Sequence, residues 1–256
     1  MMNDKTLNTK IPTVSLYGLS ISKLSMKETV AFLEKAIVSR QPHQVITINP
    51  IMIMAALDSP SHMDAMKRAE LLVPDGSGVV WAAKHIGEPV TEKVAGIELM
   101  QELFKLGEQK GWRVFLLGAS SEIIQAAADK VRNQFPRLNL VGVQDGYFTD
   151  SQDDEIIHKI HQVSPDLLFV GRSADKQETW IDRYKMLLNV PIVMGVGGSF
   201  DVISGKLKRA PKWMISLHLE WLHRLKQEPW RFKRMLLLPK FVVRVVCDKE
   251  KLRNAG

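Results

Sequence analysis

The sequence predicts an α/β fold, a Rossmann-like parallel sheet flanked by helices, with a helical and basic C-terminal appendage. Short β-branched runs alternate with helical patterns along the first 205 residues, an order typical of a parallel sheet covered on both faces. From residue 206 the strand signal stops, and arginine, lysine and tryptophan interleave with apolar residues. We therefore expect two units, an α/β body over residues 1–205 and the appendage over residues 206–256.

Seven short apolar runs predict the strands of the body. They cover residues 14–17, 45–48, 71–73, 112–117, 138–143, 167–171 and 192–195. In sheets of this kind, ligands bind at the carboxyl ends of the strands. The candidate binding loops are therefore residues 47–50, 74–78, 118–122, 171–178 and 195–201.

Helices are predicted from start signals and apolar periodicity. Ser25 with Glu28 three residues later is a capping box, which begins the first helix. Further helical patterns in the body cover residues 51–57, 63–69, 77–86, 97–110, 118–135, 151–162 and 176–188. In the appendage, apolar residues at four-residue intervals predict a helix over 212–225, and Pro229 and Pro239 begin two more.

Net charge divides unevenly between the two units. The chain carries a formal charge of +7, which is −3 for the body and +10 for the appendage. The appendage also holds three of the six tryptophans: Trp213, Trp221 and Trp230. This asymmetry indicates an acidic partner, which could be nucleic acid, an anionic membrane surface or a phosphorylated substrate. The leucine and tryptophan content of the appendage favours lipid over nucleic acid.

Composition and motifs exclude several classes of protein. The single cysteine, Cys247, cannot form an intramolecular disulfide, residues 1–12 lack the apolar segment of a secretory signal, and no stretch of about 18 apolar residues predicts a membrane span. No Walker A, G-x-S-x-G or D-x-D motif is present, and His158 and His161 lack a third ligand for zinc. We expect neither a cofactor nor a metal.

Polar residues that follow the second and third strands are the first candidates for chemistry. Asp75 precedes Gly76 and could act as a general base on a hydroxyl, although an aspartate there is also a common turn or helix cap. Thr47 and Asn49 could bind a sugar or a phosphate, or Asn49 with Pro50 could simply start a helix.

Three further sets of residues could bind phosphate or a polar ligand. The backbone of Gly195, Gly197 and Gly198 could cradle a diphosphate, but the third glycine of a dinucleotide fingerprint is missing, so a nicotinamide-dependent oxidoreductase is disfavoured. Gln177 could hydrogen-bond a ligand or lie in a solvated first turn. If the helix is continuous, one side of it carries Arg224, Arg231 and Arg234. Their guanidinium groups could bind a diphosphate through bidentate hydrogen bonds, or they could form a solvated basic face.

Taken together, these segments resemble the WecG/TagA/CpsF family of bacterial glycosyltransferases from about residue 14 to residue 238. The residues that carry the resemblance are Thr47-Ile48-Asn49-Pro50, the segment 73–80 around Asp75, Val94-Ala95-Gly96, Gly146-Tyr147-Phe148, Lys176-Gln177-Glu178, the segment 195–201, Lys208-Arg209-Ala210-Pro211, Leu219-Glu220-Trp221-Leu222, Arg224-Leu225 and Glu228-Pro229. Their order and spacing are specific to that family.

The resemblance implies an inverting transfer of a sugar, of N-acetylmannosamine type or a hexose, from a UDP-sugar to a polyprenyl-diphosphate-linked sugar. It makes residues 1–205 the catalytic body, with Asp75 as the general base on the acceptor hydroxyl and Thr47 and Asn49 lining the pocket. Gln177 would contact substrate. Diphosphate would be bound by the three appendage arginines as the appendage closes over the site.

The sequence departs from the family pattern at three places, of which the third concerns the donor pocket. Lys93 stands at a substrate-binding position where the family often has arginine. Lysine lacks the bidentate geometry of a guanidinium. Glu98 stands where aspartate is common, and the turn over residues 171–175 replaces one that usually contains glycine and proline. The turn leaves the identity of the sugar open.

The prediction is a peripheral glycosyltransferase of cell-envelope polysaccharide biosynthesis, on the cytoplasmic face of the inner membrane. Its expected partners are the UDP-sugar, the polyprenyl-diphosphate-linked acceptor and anionic inner-membrane lipid, with no nucleic acid, and a homo-oligomer remains open. Polybasic residues near anionic lipid contribute about 1 kcal/mol each. The alternatives are a basic-tailed nucleic-acid-binding protein and a nicotinamide-dependent oxidoreductase.

Overall fold

The computed structural model describes residues 11–173 and 176–253, and its centre is an eight-stranded sheet. The strands are β1 (Thr13–Leu16), β2 (Leu19–Ser22), β3 (His43–Ile48), β4 (Leu71–Pro74), β5 (Arg113–Gly118), β6 (Asn139–Gln144), β7 (Leu167–Gly171) and β8 (Ile192–Gly195). Their order across the sheet is β1-β2-β4-β3-β8-β7-β5-β6, and every pair except β1 with β2 is parallel. The predicted α/β class is confirmed.

Helices cover both faces of the sheet. Those of the body are α1 (Met26–Ser39), α2 (Pro50–Leu57), α3 (Pro60–Lys67), α4 (Ser77–His85), α5 (Gly96–Lys110), α6 (Ser121–Gln134), α7 (Asp153–Val163), α8 (Gln177–Leu188) and α9 (Ser199–Ile203). One face packs against α1, α5, α6 and α9, and the other against α2, α3, α4, α7 and α8. Adjacent strand residues divide between the two cores, as Val45 and Ile46 of β3 do.

Capping residues set where several helices begin. The capping box of α1 is present, because Glu28 donates its backbone N–H to Ser25 and its carboxylate accepts the Ser25 N–H. Asn49 caps α2 with Pro50 in the first turn, and Pro60 begins α3. Each proline occupies a position whose N–H has no partner within the helix.

Strand β2 was missed by the sequence prediction. It forms a hairpin with β1 through Tyr17 and Gly18, which both adopt positive φ angles of 55° and 78°. Residues in that conformation form the two-residue turns that connect the strands of β-hairpins. The strand is only four residues long and includes two serines, so its apolar signal is weak.

The appendage is more broken than its periodicity predicts. Its helices are α10 (Lys212–Ser216), α11 (Glu220–Gln227), α12 (Phe232–Met235), α13 (Leu237–Cys247) and α14 (Lys249–Arg253). The single helix predicted over 212–225 is wrong, because His218 adopts a left-handed φ of 60° between α10 and α11. Pro239 does not begin α13 but lies in its first turn, where a missing N–H costs no hydrogen bond.

Helix α13 anchors the appendage on the body. Phe241 and Val245 are fully buried in the same apolar cluster as Ile53 of α2 and Ala83 of α4. Leu252 joins this cluster from α14. In the described parts of the chain, no helix combines the length and the apolar character needed to cross a bilayer.

Candidate active site

The candidate site lies where the loops after β3, β4 and β8 meet. Ile48 of β3 pairs with Pro74 of β4, and Ile46 of β3 pairs with Gly195 of β8. Asn49, Asp75 and the loop that begins at Gly195 therefore leave neighbouring strands at the same edge of the sheet. This edge is where parallel α/β sheets bind ligands.

Asp75 is held at this edge by backbone hydrogen bonds. Its own N–H donates to the carbonyl of Ile48 at 2.8 Å, and its Oδ2 accepts the N–H of Gly96 at 3.2 Å. Gly96 begins α5, whose N-terminus favours negative charge. A Cβ on Gly96 would come within 2.8 Å of Thr47 Oγ1, so Thr47 lies directly against the same helix end.

The environment of Asp75 suits a base that operates near neutral pH. The side chain keeps some solvent exposure, but burial of the carboxyl raises the pKa of Asp75 to about 6. The Gly96 N–H and the Lys93 ammonium oppose that effect and lower the pKa, whereas Glu220 and Glu98 raise it. At pH 7 most Asp75 carboxyls are ionised and still basic enough to accept a proton in a transition state.

Asn49 has a structural task in this arrangement. Its Oδ1 accepts the N–H of Met52 at 3.1 Å, so the side chain caps α2, which is the simpler of the two interpretations that the sequence left open. The cap uses only Oδ1, so the NH₂ group of Asn49 takes no part in it. Its contribution to the catalytic pocket stays a prediction, as does that of Thr47.

Lys93 joins the appendage to the catalytic edge. Its Nζ lies 2.9 Å from Glu220 Oε2, at the start of α11. The pair spans 127 positions of sequence, and both partners influence the pKa of Asp75. Arg209 and Glu98 form a second ion pair between the same two regions. The appendage therefore covers the edge of the sheet beside Asp75.

The glycine loop after β8 is held by protein hydrogen bonds. Val196 donates its N–H to Val170, Ser199 donates to Val196, and Gly197 donates to Gln177 Oε1 at 2.9 Å. A diphosphate cradle made of these backbone groups stays a prediction, since three of them already have acceptors. Positive charge reaches the loop from the appendage instead, because a Cβ on Gly198 would come within 2.4 Å of Arg224 Nη2.

Gln177 is buried beneath that loop. Only 5% of the residue is exposed, and its Nε2 donates to Glu178 Oε1 at 2.6 Å while its Oε1 accepts from Gly197. Both ends of the amide are therefore used by the protein. A direct contact between Gln177 and substrate stays a prediction. Residues 174 and 175, within the unusual turn that precedes this helix, lie outside the described residues.

Arg224 and Arg231 are brought together by Glu228. The two arginines do not share a continuous helix, because α11 ends at Gln227 and Arg231 follows in a separate 3₁₀ turn that begins at Pro229, where the sequence predicts a new helix. Glu228 Oε2 nevertheless lies 2.6 Å from Arg224 Nε and 2.8 Å from Arg231 Nε. Burial, reinforced by the charge of Arg224, lowers the pKa of Arg231.

Both guanidiniums meet this buried carboxylate through Nε, and Arg224 Nη2 lies against Gly198. Arg234 is exposed and close enough to Arg231 to lower its pKa further. Two guanidiniums at one carboxylate, with the guanidinium of Arg234 nearby, leave this place positively charged. Such a cluster is suited to a diphosphate, whose oxygens accept bidentate hydrogen bonds.

Sequence reasoning missed the parts played by three glutamates. Glu178, Glu220 and Glu228 are all present in the segments that carry the family resemblance, but local pattern shows neither burial nor ion pairing. Each contacts a residue on another element or in another turn. Among the residues that the structure describes, no three histidine, cysteine, aspartate or glutamate side chains group in a way that could hold a metal ion.

Comparison with known proteins identifies the family. The Glycosyl transferase WecG/TagA/CpsF family matches residues 14–255. A protein of Bacillus subtilis (strain 168) is 33% identical over 240 residues, 93% of each chain. One of Bacillus spizizenii is 38% identical over 202 residues, 79% of this chain and 78% of its own.

A protein of Staphylococcus aureus (strain MW2) is 30% identical over 244 residues, 94% of this chain and 95% of its own. All three relatives are named N-acetylglucosaminyldiphosphoundecaprenol N-acetyl-beta-D-mannosaminyltransferase. The chain belongs to the WecG/TagA/CpsF family and is a glycosyltransferase, so the resemblance predicted from its sequence is confirmed. The two alternatives, a nucleic-acid-binding protein and a nicotinamide-dependent oxidoreductase, are not supported.

Proposed function

We propose that this WecG/TagA/CpsF glycosyltransferase transfers a sugar, with inversion, from a UDP-sugar to a polyprenyl-diphosphate-linked sugar. The observation that carries the proposal is the reach of α11 across the site. Glu220, at its start, pairs with Lys93 beside Asp75, and Arg224, one turn later, lies against Gly198. One helix turn therefore spans the opening between a base and a diphosphate-binding cation.

The chemistry follows from that separation of roles. The acceptor hydroxyl loses its proton to Asp75 as its oxygen attacks the anomeric carbon, and the bond to the UDP oxygen breaks on the opposite face. A single displacement of this kind inverts the configuration at the anomeric carbon. Arg224, Arg231 and Arg234 stabilise the negative charge that develops on the departing diphosphate.

The donor and acceptor are proposed from the relatives. Their names specify an N-acetylmannosaminyl group and an N-acetylglucosaminyl-diphosphoundecaprenol acceptor. UDP-N-acetylmannosamine is therefore the first donor to test, with a UDP-hexose second. Lys93 would add positive charge on the Asp75 side of the opening, and its point charge replaces the planar fork of arginine.

The appendage is proposed to bring the enzyme to the inner face of the cell membrane. Trp213, Trp230 and Val243 have 61%, 74% and 63% of their surface exposed. A groove of about 780 Å³ between α2 and α13 is lined by apolar residues together with Lys240, Arg244 and one acidic residue, Asp248. Exposed apolar side chains beside cations are typical of helices that lie in the interface of anionic lipid.

A donor screen tests the reaction. The purified chain is incubated with an N-acetylglucosaminyl-diphosphate-polyprenyl analogue and each UDP-sugar, and UDP release is measured against a control without acceptor. We expect acceptor-dependent release with at least one donor, and an anomeric configuration in the product, read by NMR, opposite to that of the donor. The proposal would be contradicted if none of the UDP-sugars gave acceptor-dependent UDP release, or if the product retained the anomeric configuration of the donor.

A further inference from the structure

Glu178 is a buried carboxyl for which the proposed reaction has no use. Only 1% of the residue is exposed, and it lies at the start of α8 against β3 and β8. Burial raises the pKa of Glu178 to about 7. A buried ionisable group costs stability unless hydrogen bonds compensate, so its neighbours indicate what it does.

Two glutamine amides bind the two carboxyl oxygens of Glu178. Gln177 Nε2 donates to Oε1 at 2.6 Å, and Gln44 Nε2 donates to Oε2 at 3.0 Å and also to the Glu178 carbonyl at 3.1 Å. Gln44 is fully buried in β3. The carboxyl thus ties the first turn of α8 to the centre of the sheet.

The same carboxyl determines which way the Gln177 amide faces. With Nε2 donating to Glu178, Gln177 must present Oε1 to the Gly197 N–H, as it does at 2.9 Å. The absence of a side chain on Gly195 makes this possible, because a Cβ there would come within 2.4 Å of both Gln177 Nε2 and Glu178 Oε1. The chain of contacts continues from Gly198 to Arg224 Nη2.

We infer that Glu178 is a positioning residue for donor binding: it fixes the Gln177 amide, which holds the Gly197–Gly198 turn beneath the guanidinium of Arg224. The effect on donor KM rests on the proposed function, whereas the effect on the position of the Gly197–Gly198 turn does not. Without an acceptor on Glu178, the Gln177 amide can rotate and present NH₂ to the Gly197 N–H. Two donors then face each other, and the turn moves.

Gln44 provides a way to distinguish the hydrogen bond from the charge. Its Oε1 is buried without a hydrogen-bond partner among the described residues. In Glu178→Gln, the new carbonyl can still accept from Gln177, which keeps the Gln177 amide in place. The new NH₂ can donate to Gln44 Oε1 if the Gln44 amide rotates, at the cost of its hydrogen bond to the carbonyl of residue 178. In Glu178→Met, which has a similar volume, Gln177 loses its acceptor.

Asp153, the first residue of α7, supplies a matched control that contacts the same helix as Glu178 does. It is also a buried carboxylate, and it accepts hydrogen bonds from Trp180 Nε1 and Tyr184 OH of α8, both at 2.8 Å. Its contacts do not involve the glycine turn. Asp153→Leu therefore removes a comparable pair of hydrogen bonds from α8 while leaving the Gln177–Gly197 contact in place.

The test measures donor KM, acceptor KM and kcat for E178M, E178Q and D153L. We expect E178M to raise donor KM about five- to tenfold, the effect of one lost hydrogen bond, with acceptor KM unchanged. E178Q should stay within about twofold of wild type, and D153L should lower thermal stability without changing donor KM. A wild-type donor KM in E178M, or an equal rise in D153L, would overturn the inference.

Hydrogen exchange of the peptide 195–201 separates this inference from the proposed function. Exchange should be faster in E178M than in wild type, E178Q and D153L, whether or not any UDP-sugar is turned over. Unchanged exchange in E178M would refute the positioning role. Faster exchange in an enzyme that releases no UDP would instead refute the proposed reaction alone.

Discussion

The body and the appendage differ in how much of their apolar side-chain surface they bury. The body carries a net charge of −3 and buries its apolar side chains between the sheet and two layers of helices, whereas the appendage carries +10. Within the described residues, ten of the fourteen exposed large apolar side chains belong to the appendage. Its helices α10, α11 and α12 have only five, eight and four residues.

Helices of that length are not stable alone in water, so they depend on what they touch. Contacts between the appendage and the body include the buried face of α13, two ion pairs, Lys93–Glu220 and Arg209–Glu98, and Arg224 against Gly198. In the proposed reaction, the body supplies the base and the appendage supplies the arginines. The following changes separate those contributions.

The largest effect is expected at the base in the body. Asp75→Asn removes the proton acceptor without changing shape, and we expect kcat to fall about 10³-fold, within the range for a lost general base. UDP binding should persist, because the appendage arginines remain. Single-turnover kinetics together with calorimetric UDP binding would measure both quantities.

The same substitution should stabilise the protein at high pH. Burial raises the pKa of Asp75 to about 6, above a value of about 4 in the unfolded chain, so the ionised carboxyl lowers the free energy of unfolding as pH rises through that interval. We expect D75N to melt a few degrees higher than wild type at pH 8 and equally below about pH 4. Retained activity in D75N would remove Asp75 from the mechanism.

The next effect concerns the docking of the appendage. Phe241→Ala deletes a fully buried side chain at the α13 contact and should lower the free energy of unfolding by about 3–5 kcal/mol. Trp230→Ala, in the same region but with 74% of the residue exposed, should leave stability unchanged and weaken binding to anionic liposomes. Equal thermal stability of the two variants would contradict the docked arrangement.

A smaller effect separates the catalytic cations from the lipid-binding ones. Arg231→Ala removes one of the guanidiniums paired to Glu228 and should lower kcat/KM about tenfold to a hundredfold, measured with a water-soluble acceptor. Lys233→Ala removes a neighbouring exposed cation and should reduce liposome affinity alone. If K233A lowered soluble activity as much as R231A, a general basic surface would explain both.

The smallest effect tests electrostatic coupling between the two units. Lys93→Met removes a cation that lowers the pKa of Asp75, so the acidic limb of the kcat/KM profile should move about half a unit to higher pH. Glu220→Gln removes an anion that raises this pKa, so the limb should move to lower pH. Glu102→Gln, on an exposed position of α5, is the control and should move neither. Shifts in the same direction for K93M and E220Q would contradict the coupling.

Many features of the site could be predicted from the sequence. Asp75, Thr47 and Gly195 lie at or just after the ends of predicted strands, and a parallel sheet brings the ends of its strands to one edge. The roles of Glu178 and Glu228 could not be predicted in this way. Burial, the orientation of an amide and an ion pair shared by two arginines depend on neighbours that periodicity does not identify.

Sequence alone determined the alternation of strands and helices, the family and the division of charge, because these depend on short-range pattern and on residue identity. Tertiary structure decided where the appendage lies. His218 interrupts the helix that a regular apolar spacing predicts, and α13 packs on α2 and α4. Glu220 forms an ion pair with Lys93, which is 127 positions away in the sequence. Contacts over such distances form only when the sheet and its helices pack together, so local sequence does not specify them.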